Sequence, residues 1–234
     1  TEEIMTNFMS NSIFFGAALS LIAYEVGLLL KRKFKMAIFN PLLISIIAVI
    51  AVLCLLHIDY DTYNQSGQYI SYLLTPATVC LAVPLYQQME LLKKNLKAVV
   101  IGIVSGVLAS LVSVLILARL FRLSHEQYVT LLPKSITTAI GMGVSEELGG
   151  IVTITVAVII ITGVLGNMVA ETVIKLAHIE EPIAKGLALG TSSHAIGTAK
   201  AMELGEIEGA MSSLAIAVAG LLTVVGASVF AQFM

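Results

Sequence analysis

Apolar runs of bilayer length alternate along the chain with short polar interruptions, and the places where this alternation fails carry the most information. Residues 12–30 form a clean run that stops at Lys31, Arg32, Lys33 and Lys35. A second run, 37–56, has Pro41 in its first turn, where a proline costs no helical hydrogen bond. Residues 57–68 are polar and predict a loop. Residues 69–88 are apolar but broken by Pro76 and Pro84. Residues 99–118 form a uniform span in which Gly102 and Gly106, one helical turn apart, predict a close packing face. The pattern then loosens over 128–144, where Pro133, Gly141 and Gly143 stand among Lys134, Ser135, Thr137 and Thr138. Residues 151–174 make a full span containing Asn167 and Glu171, and 210–233 close the chain. The pattern predicts an all-α polytopic integral membrane protein with about six to eight hydrophobic segments, some of them proline- or glycine-broken helices.

The sharpest departure is 183–200. Thr191, Ser192, Ser193, His194 and Thr198 stand there among Gly186, Gly190 and Gly197. Such a segment is too polar for lipid and too apolar for a water-exposed loop. It predicts a broken helix lining a buried polar cavity, because irregular backbone at membrane depth is stable only where protein or trapped water satisfies it.

Composition supports the membrane reading. The 234 residues are 58% hydrophobic and 12% charged, against about a quarter charged in soluble domains, and the mean hydropathy is +0.97. A net charge of −2 without a basic face argues against a nucleic-acid partner. Cys54 and Cys80 sit in apolar runs without metal-ligand spacing, which predicts buried thiols and no metal or other cofactor. Glu2 and Glu3 replace a basic n-region, so the first apolar run is expected to be a retained helix. Basic clusters at Lys31 to Lys35 and at Lys93, Lys94 and Lys97 flank two segments, with Asp59 and Asp61 between them. The positive-inside rule then predicts that both basic clusters are cytoplasmic and that the Asp59 region and the N-terminus lie outside, in a multi-pass protein expected in the cell membrane. Glu25 and Glu171, costly in hydrocarbon, are expected to face inward or to lie near an interface.

Two proline-broken stretches, 73–78 and 131–136, resemble one another and suggest repeat halves of about 37–119 and 128–234. Broken helices in corresponding positions point to a transporter with a midplane site. Helix breaks expose N–H groups at the positive end of a helix dipole, which suits an anion such as a carboxylate. Thr75, Thr78, Lys134, Ser135, Thr137, Thr138, Thr191, Ser192, Ser193 and His194 are the candidate ligands. For each hydroxyl the competing role is a bond to its own helix backbone. His194 is either a packing histidine or a substrate and proton ligand. Glu146 and Glu147 are either a solvated helix end or proton and gating carboxylates. Neighbouring Ser193 and His194 point about 100° apart on a helix and make no nucleophile–base pair, and no hydrolase motif is present, so no enzyme activity is expected.

Residues 74–86 (LTPATVCLAVPLY), 133–140 (PKSITTAI), 145–150 (SEELGG), 186–199 (GLALGTSSHAIGTA), 205–210 (GEIEGA) and 212–215 (SSLA) resemble the signature blocks of the LrgB/CidB antiholin-like membrane family. The resemblance runs over nearly the whole chain and implies one LrgB-like transmembrane domain, 1–234. It implies two kinds of function. Bacterial members are named as antiholin- or holin-like regulators of murein hydrolase export and autolysis that work with a small LrgA/CidA-type membrane protein. Other relatives include a plastid glycolate and glycerate transporter and bacterial pairs linked to pyruvate movement. The residues and the resemblance together point to transport of a small monocarboxylate of the pyruvate, glycolate, glycerate or lactate class, with the autolysis regulator lacking its own substrate as the alternative. Self-association into a homo-oligomer stays open. Ala139 stands where many relatives would carry proline, which bears on the geometry of the second broken segment.

Overall fold

The computed structural model describes residue 12 and residues 14–34, 39–80 and 82–234; Glu2, Glu3, Lys35 and the start of the second apolar run at Ala37 lie outside these. Every regular element among the described residues is helical. By length and composition, Leu96–Leu120, Val152–Leu176, Glu206–Phe233 and the stretch Tyr60–Gln87 can each cross a bilayer, and Pro41–Leu55 is a shorter apolar helix. The chain forms two compact units, Thr1–Cys80 and Leu81–Met234.

The first unit contains α1 (Phe15–Phe34), α2 (Pro41–Leu55), α3 (Tyr60–Ser71) and α4 (Leu74–Cys80). Asn40 caps α2 by accepting from the Leu42 and Leu43 N–H groups. The polar stretch expected as a loop is instead α3, started by Asp59, whose carboxylate accepts from the Asp61 N–H. A hydrogen-bonded seam draws it into helix. Ser66 Oγ accepts from the Gly16 N–H at 2.6 Å and the Tyr63 hydroxyl stands 2.7 Å from Ser20 Oγ, which satisfies an orphan donor in the first turn of α1. Cys54 and Cys80 are free, and both are exposed rather than buried. Glu25 is exposed too.

The second unit starts with two short helices, α5 (Ala82–Gln87) and α6 (Met89–Lys94), followed by the long α7 (Leu96–Leu120). Val99, Ile103, Val107, Leu111, Val114 and Ala118 recur on one face of α7 and are each at most 5% exposed. They pack with Met211, Ala215, Ala219 and Ala227 of α12 (Glu206–Phe230). Between them in sequence lie α8 (His125–Leu131), α9 (Thr138–Glu147), α10 (Val152–Leu176) and α11 (Pro182–Leu204).

Two of these segments turn back on themselves. Ser124 opens α8 with a capping box to Gln127, and the helix stops as the chain reaches Pro133. α9 then returns: Thr155 Oγ1 lies 2.7 Å from Ser145 Oγ and 2.9 Å from the Thr130 carbonyl oxygen, so the end of α9 stands level with the end of α8. In α11 helical geometry fails at Ser193 (φ −132°, ψ 15°) and His194 (φ 41°, ψ −135°). A Cβ on Gly197 would meet the Leu189 carbonyl oxygen at 2.5 Å, whereas a continuous helix would hold the two about 12 Å apart. α11 is therefore a helical hairpin whose arms run to and from residues 193–194.

The two hairpins enter from opposite ends. The first opens where α10 begins and α12 finishes: the Ile151 N–H donates to Thr130 Oγ1 at 2.8 Å and the Tyr128 hydroxyl donates to the Phe230 carbonyl at 3.0 Å. The second opens where α10 finishes and α12 begins, and its Thr198 Oγ1 lies 2.7 Å from Ser212 Oγ. Both tips stop halfway. Ser135, in the first tip, lies 3.0 Å from Ser110, two residues past the midpoint of α7. His194, in the second, packs on Gly163 beside the midpoint of α10. A helix of 25 residues is about 37 Å long and brackets a hydrocarbon core of about 30 Å, so both tips reach the middle of the spans.

Candidate functional site at the hairpin tips

One groove of about 800 Å³ runs along α7 and the inward arm of α11 from Asn95 and Glu181, at the helix ends, to Ser110, Lys134 and Ser135 at the first tip. Its α7 wall is made of small residues: Ala98, Gly102, Ser105, Gly106, Ala109, Ser110 and Ser113 share one face of the helix. This face is the one predicted from Gly102 and Gly106, which take Leu187 and Thr191 of α11 against them. Thr191 and Ser192 line the facing wall.

Lys134 is half-buried and its Nζ donates to Ser135 Oγ at 3.1 Å. Among the described residues no carboxylate lies within ion-pair distance of it. A lysine at membrane depth costs about 2.5–3.5 kcal/mol on insertion scales and normally has a partner. The hydroxyls opposite differ. Thr191 Oγ1 donates to the Leu187 carbonyl at 2.8 Å and Ser192 Oγ to the Ala188 carbonyl at 2.7 Å. Each hydroxyl has one proton, so both side chains present acceptors to the groove while Lys134 presents donors.

The other candidates of the second unit do not line the groove. Ser193 and His194 are buried against α10, in the recess left by Gly163 and Gly166, and His194 Nε2 is 3.0 Å from the Ile159 carbonyl oxygen. Neither lines the groove. Thr137 is the N-cap residue of α9 and Thr138 begins that helix; both are half-buried and stand off the groove. Glu146 and Glu147 are exposed at the far end of α9, about 12 Å along the helix from its start. Thr75 and Thr78 belong to α4 in the first unit, where Thr75 is exposed. The structure thus gathers Lys134, Ser135, Thr191 and Ser192 and adds Ser110, which sequence reasoning missed. The signal was the recurrence of small and hydroxyl residues at helical spacing through an otherwise apolar span.

Sequence reasoning also passed over Lys200. On the return arm of α11 it is buried and pairs with Glu171 at 2.6 Å and Glu203 at 3.0 Å. Asn167 Nδ2 donates to the Ile196 carbonyl at 3.0 Å. Glu171 is itself exposed, near the end of α10, and these contacts tie the second hairpin to that helix.

Spanning helices combined with opposed hairpins define a polytopic helical membrane protein whose groove, largely apolar but set with hydroxyls and one lysine, ends level with the middle of the spans. The chain belongs to the LrgB-like family, whose model matches residues 20–233. It is 39% identical over 221 residues to the Antiholin-like protein LrgB of Bacillus mycoides (strain KBAB4), covering 94% of this chain and 96% of that protein. The proteins of the same name from Bacillus cereus (strain B4264) and Bacillus anthracis (strain CDC 684 / NRRL 3495) match with the same identity and coverage. No solved structure matches.

Proposed function

We propose that the protein carries a small monocarboxylate, of the pyruvate, glycolate, glycerate or lactate class, across the cell membrane, and that Lys134 binds it at the tip of the first hairpin. The observation that supports this most is an ammonium level with the middle of the spans, without a carboxylate partner among the described residues, in a groove otherwise largely apolar and set with hydroxyls. An arriving carboxylate neutralises that charge. Opposed hairpins suit alternating access, because either can shield the site from its own side while the other opens. Ser135 belongs to the binding shell; Thr137 and Thr138, at the start of α9, add the positive end of a helix dipole. Thr191 and Ser192 accept from substrate hydroxyls. Ser193 and His194 seat the second tip. A small LrgA/CidA-type membrane protein is the proposed partner.

The printed name of the relatives favours a second reading, an antiholin-like role in controlling autolysis without a substrate of its own. Uptake of labelled pyruvate and glycolate into proteoliposomes, with and without the partner, separates the two. A carrier saturates and is competed by unlabelled analogues. A holin-like pore passes unrelated solutes of similar size, and a regulator without a substrate passes neither.

Sidedness yields a further expectation. Lys93, Lys94, Lys97, Lys175 and Lys185 lie at the end where the groove opens, against Arg119 and Arg122 at the other. By the positive-inside rule this asymmetry supports a cytoplasmic groove mouth. A cysteine replacing Lys94 should react with an impermeant thiol reagent only after cells are permeabilised, and one replacing Arg122 should react in intact cells. The reverse labelling would invert the orientation.

A further inference from the structure

Lys134 does not stand alone at the tip. Its Nζ is 3.1 Å from Ser135 Oγ, and Ser135 Oγ is 3.0 Å from Ser110 Oγ. The three side chains form a relay from the hairpin to α7, a continuous helix whose opposite face is locked into the core. An ammonium has three protons and each hydroxyl one. Two of these five are spent inside the relay, which leaves two N–H and one O–H for a ligand. A carboxylate has two oxygens to receive them.

We infer that Ser110 is a positioning residue, fixing through Ser135 the direction in which Lys134 presents its free N–H groups; this rests on the carboxylate site proposed above. Lys134 is carried by a turn of non-helical backbone between α8 and α9, and an aliphatic chain on such a turn samples many rotamers. The hydroxyl on α7 supplies a fixed reference point. Without it Ser135 rotates freely, the ammonium spends less time aimed into the groove, and the site binds more weakly while the carrier's motion is untouched.

The test is concentration-dependent uptake of labelled glycolate by full-length protein in proteoliposomes. Ser110→Ala should raise KM about three- to tenfold, the scale of one hydrogen bond between neutral groups, with the maximal rate within twofold of the unaltered protein. Ser135→Ala, which also removes the acceptor of Lys134, should raise KM at least as far, and the double variant should be little worse than Ser135→Ala alone, because both break one relay. Ser110→Thr, which keeps the hydroxyl, should restore KM. Wild-type KM in both alanine variants, beside strong loss in Lys134→Gln, overturns the positioning role and leaves the carboxylate site standing. Wild-type uptake in Lys134→Gln overturns both. A Ser110→Ala effect on maximal rate alone, or one that Ser110→Thr fails to repair, identifies packing on α7 and also overturns it.

Discussion

Replacing Lys134 with glutamine should abolish saturable carboxylate uptake while the protein still folds and inserts. The side chain is half-buried, donates to Ser135 and has no carboxylate partner among the described residues, so its charge is unspent until a ligand arrives. Removing one member of a buried, hydrogen-bonded charge pair costs about 2–5 kcal/mol, roughly 30- to several-thousand-fold in affinity. Folding should gain rather than lose, because an unpaired ammonium at bilayer depth is itself unfavourable. The measurement is paired: uptake of labelled glycolate, and thermal unfolding in detergent. Lost uptake with equal or higher Tm is the expected result. Preserved uptake would remove Lys134 from the site, and lost uptake with collapsed folding would make it structural.

Gly166→Ala should unseat the second hairpin, and removing the opposing side chain should restore it. A Cβ at Gly166 would run into Ser193 Oγ and stand 2.8 Å from Ser193 Cβ, inside van der Waals contact. The neighbouring residue cannot yield, because His194 is held at φ 41°, a costly backbone region for a residue with a side chain, by its ring in the Gly163 recess and its contact with the Ile159 carbonyl. Overpacking of this kind costs about 1–3 kcal/mol, and here it falls on the tip. Transport should drop at least tenfold and thermal stability should fall. The double variant Gly166→Ala with Ser193→Gly clears the collision and should recover most of both. Failure of the second substitution to rescue would mean that the hairpin does not dock on α10 through this recess.

The sequence made the elements legible and left their paths obscure. The three long spans lie within a few residues of their predicted limits, because a uniform apolar run bounded by polar residues admits little else. The interruptions at Pro133 and within residues 183–200 were equally visible. What the pattern could not supply is that both interruptions are reversals. Reversal is decided by tertiary contacts such as Gly197 against Leu189 and Thr155 against Ser145, which have no periodic signature. The polar stretch 57–68 misled for the opposite reason: its helix is held by Ser66 and Tyr63 against α1 rather than by an apolar stripe. At the site, hydroxyl content located the tips, but which hydroxyls face the groove depends on rotation about helix axes. That rotation brings Ser110 in and turns Ser193 and His194 away. The exposed thiols of Cys54 and Cys80 show the same limit, since an apolar run in a membrane protein faces lipid as readily as protein.

Protection of the groove by ligand tests the central claim most directly. Ser192 lines it and is exposed, so a Ser192→Cys variant in a background with Cys54 and Cys80 changed to serine places one reactive thiol beside Lys134's end of the cavity. Its rate of labelling by a water-soluble thiol reagent would be followed as glycolate is added, with sodium chloride at matched ionic strength as the control. The account predicts labelling that slows to a plateau with glycolate, stays unchanged with chloride, and loses its protection when Lys134→Gln is added. Labelling indifferent to glycolate, or protection that survives the loss of Lys134, would contradict it.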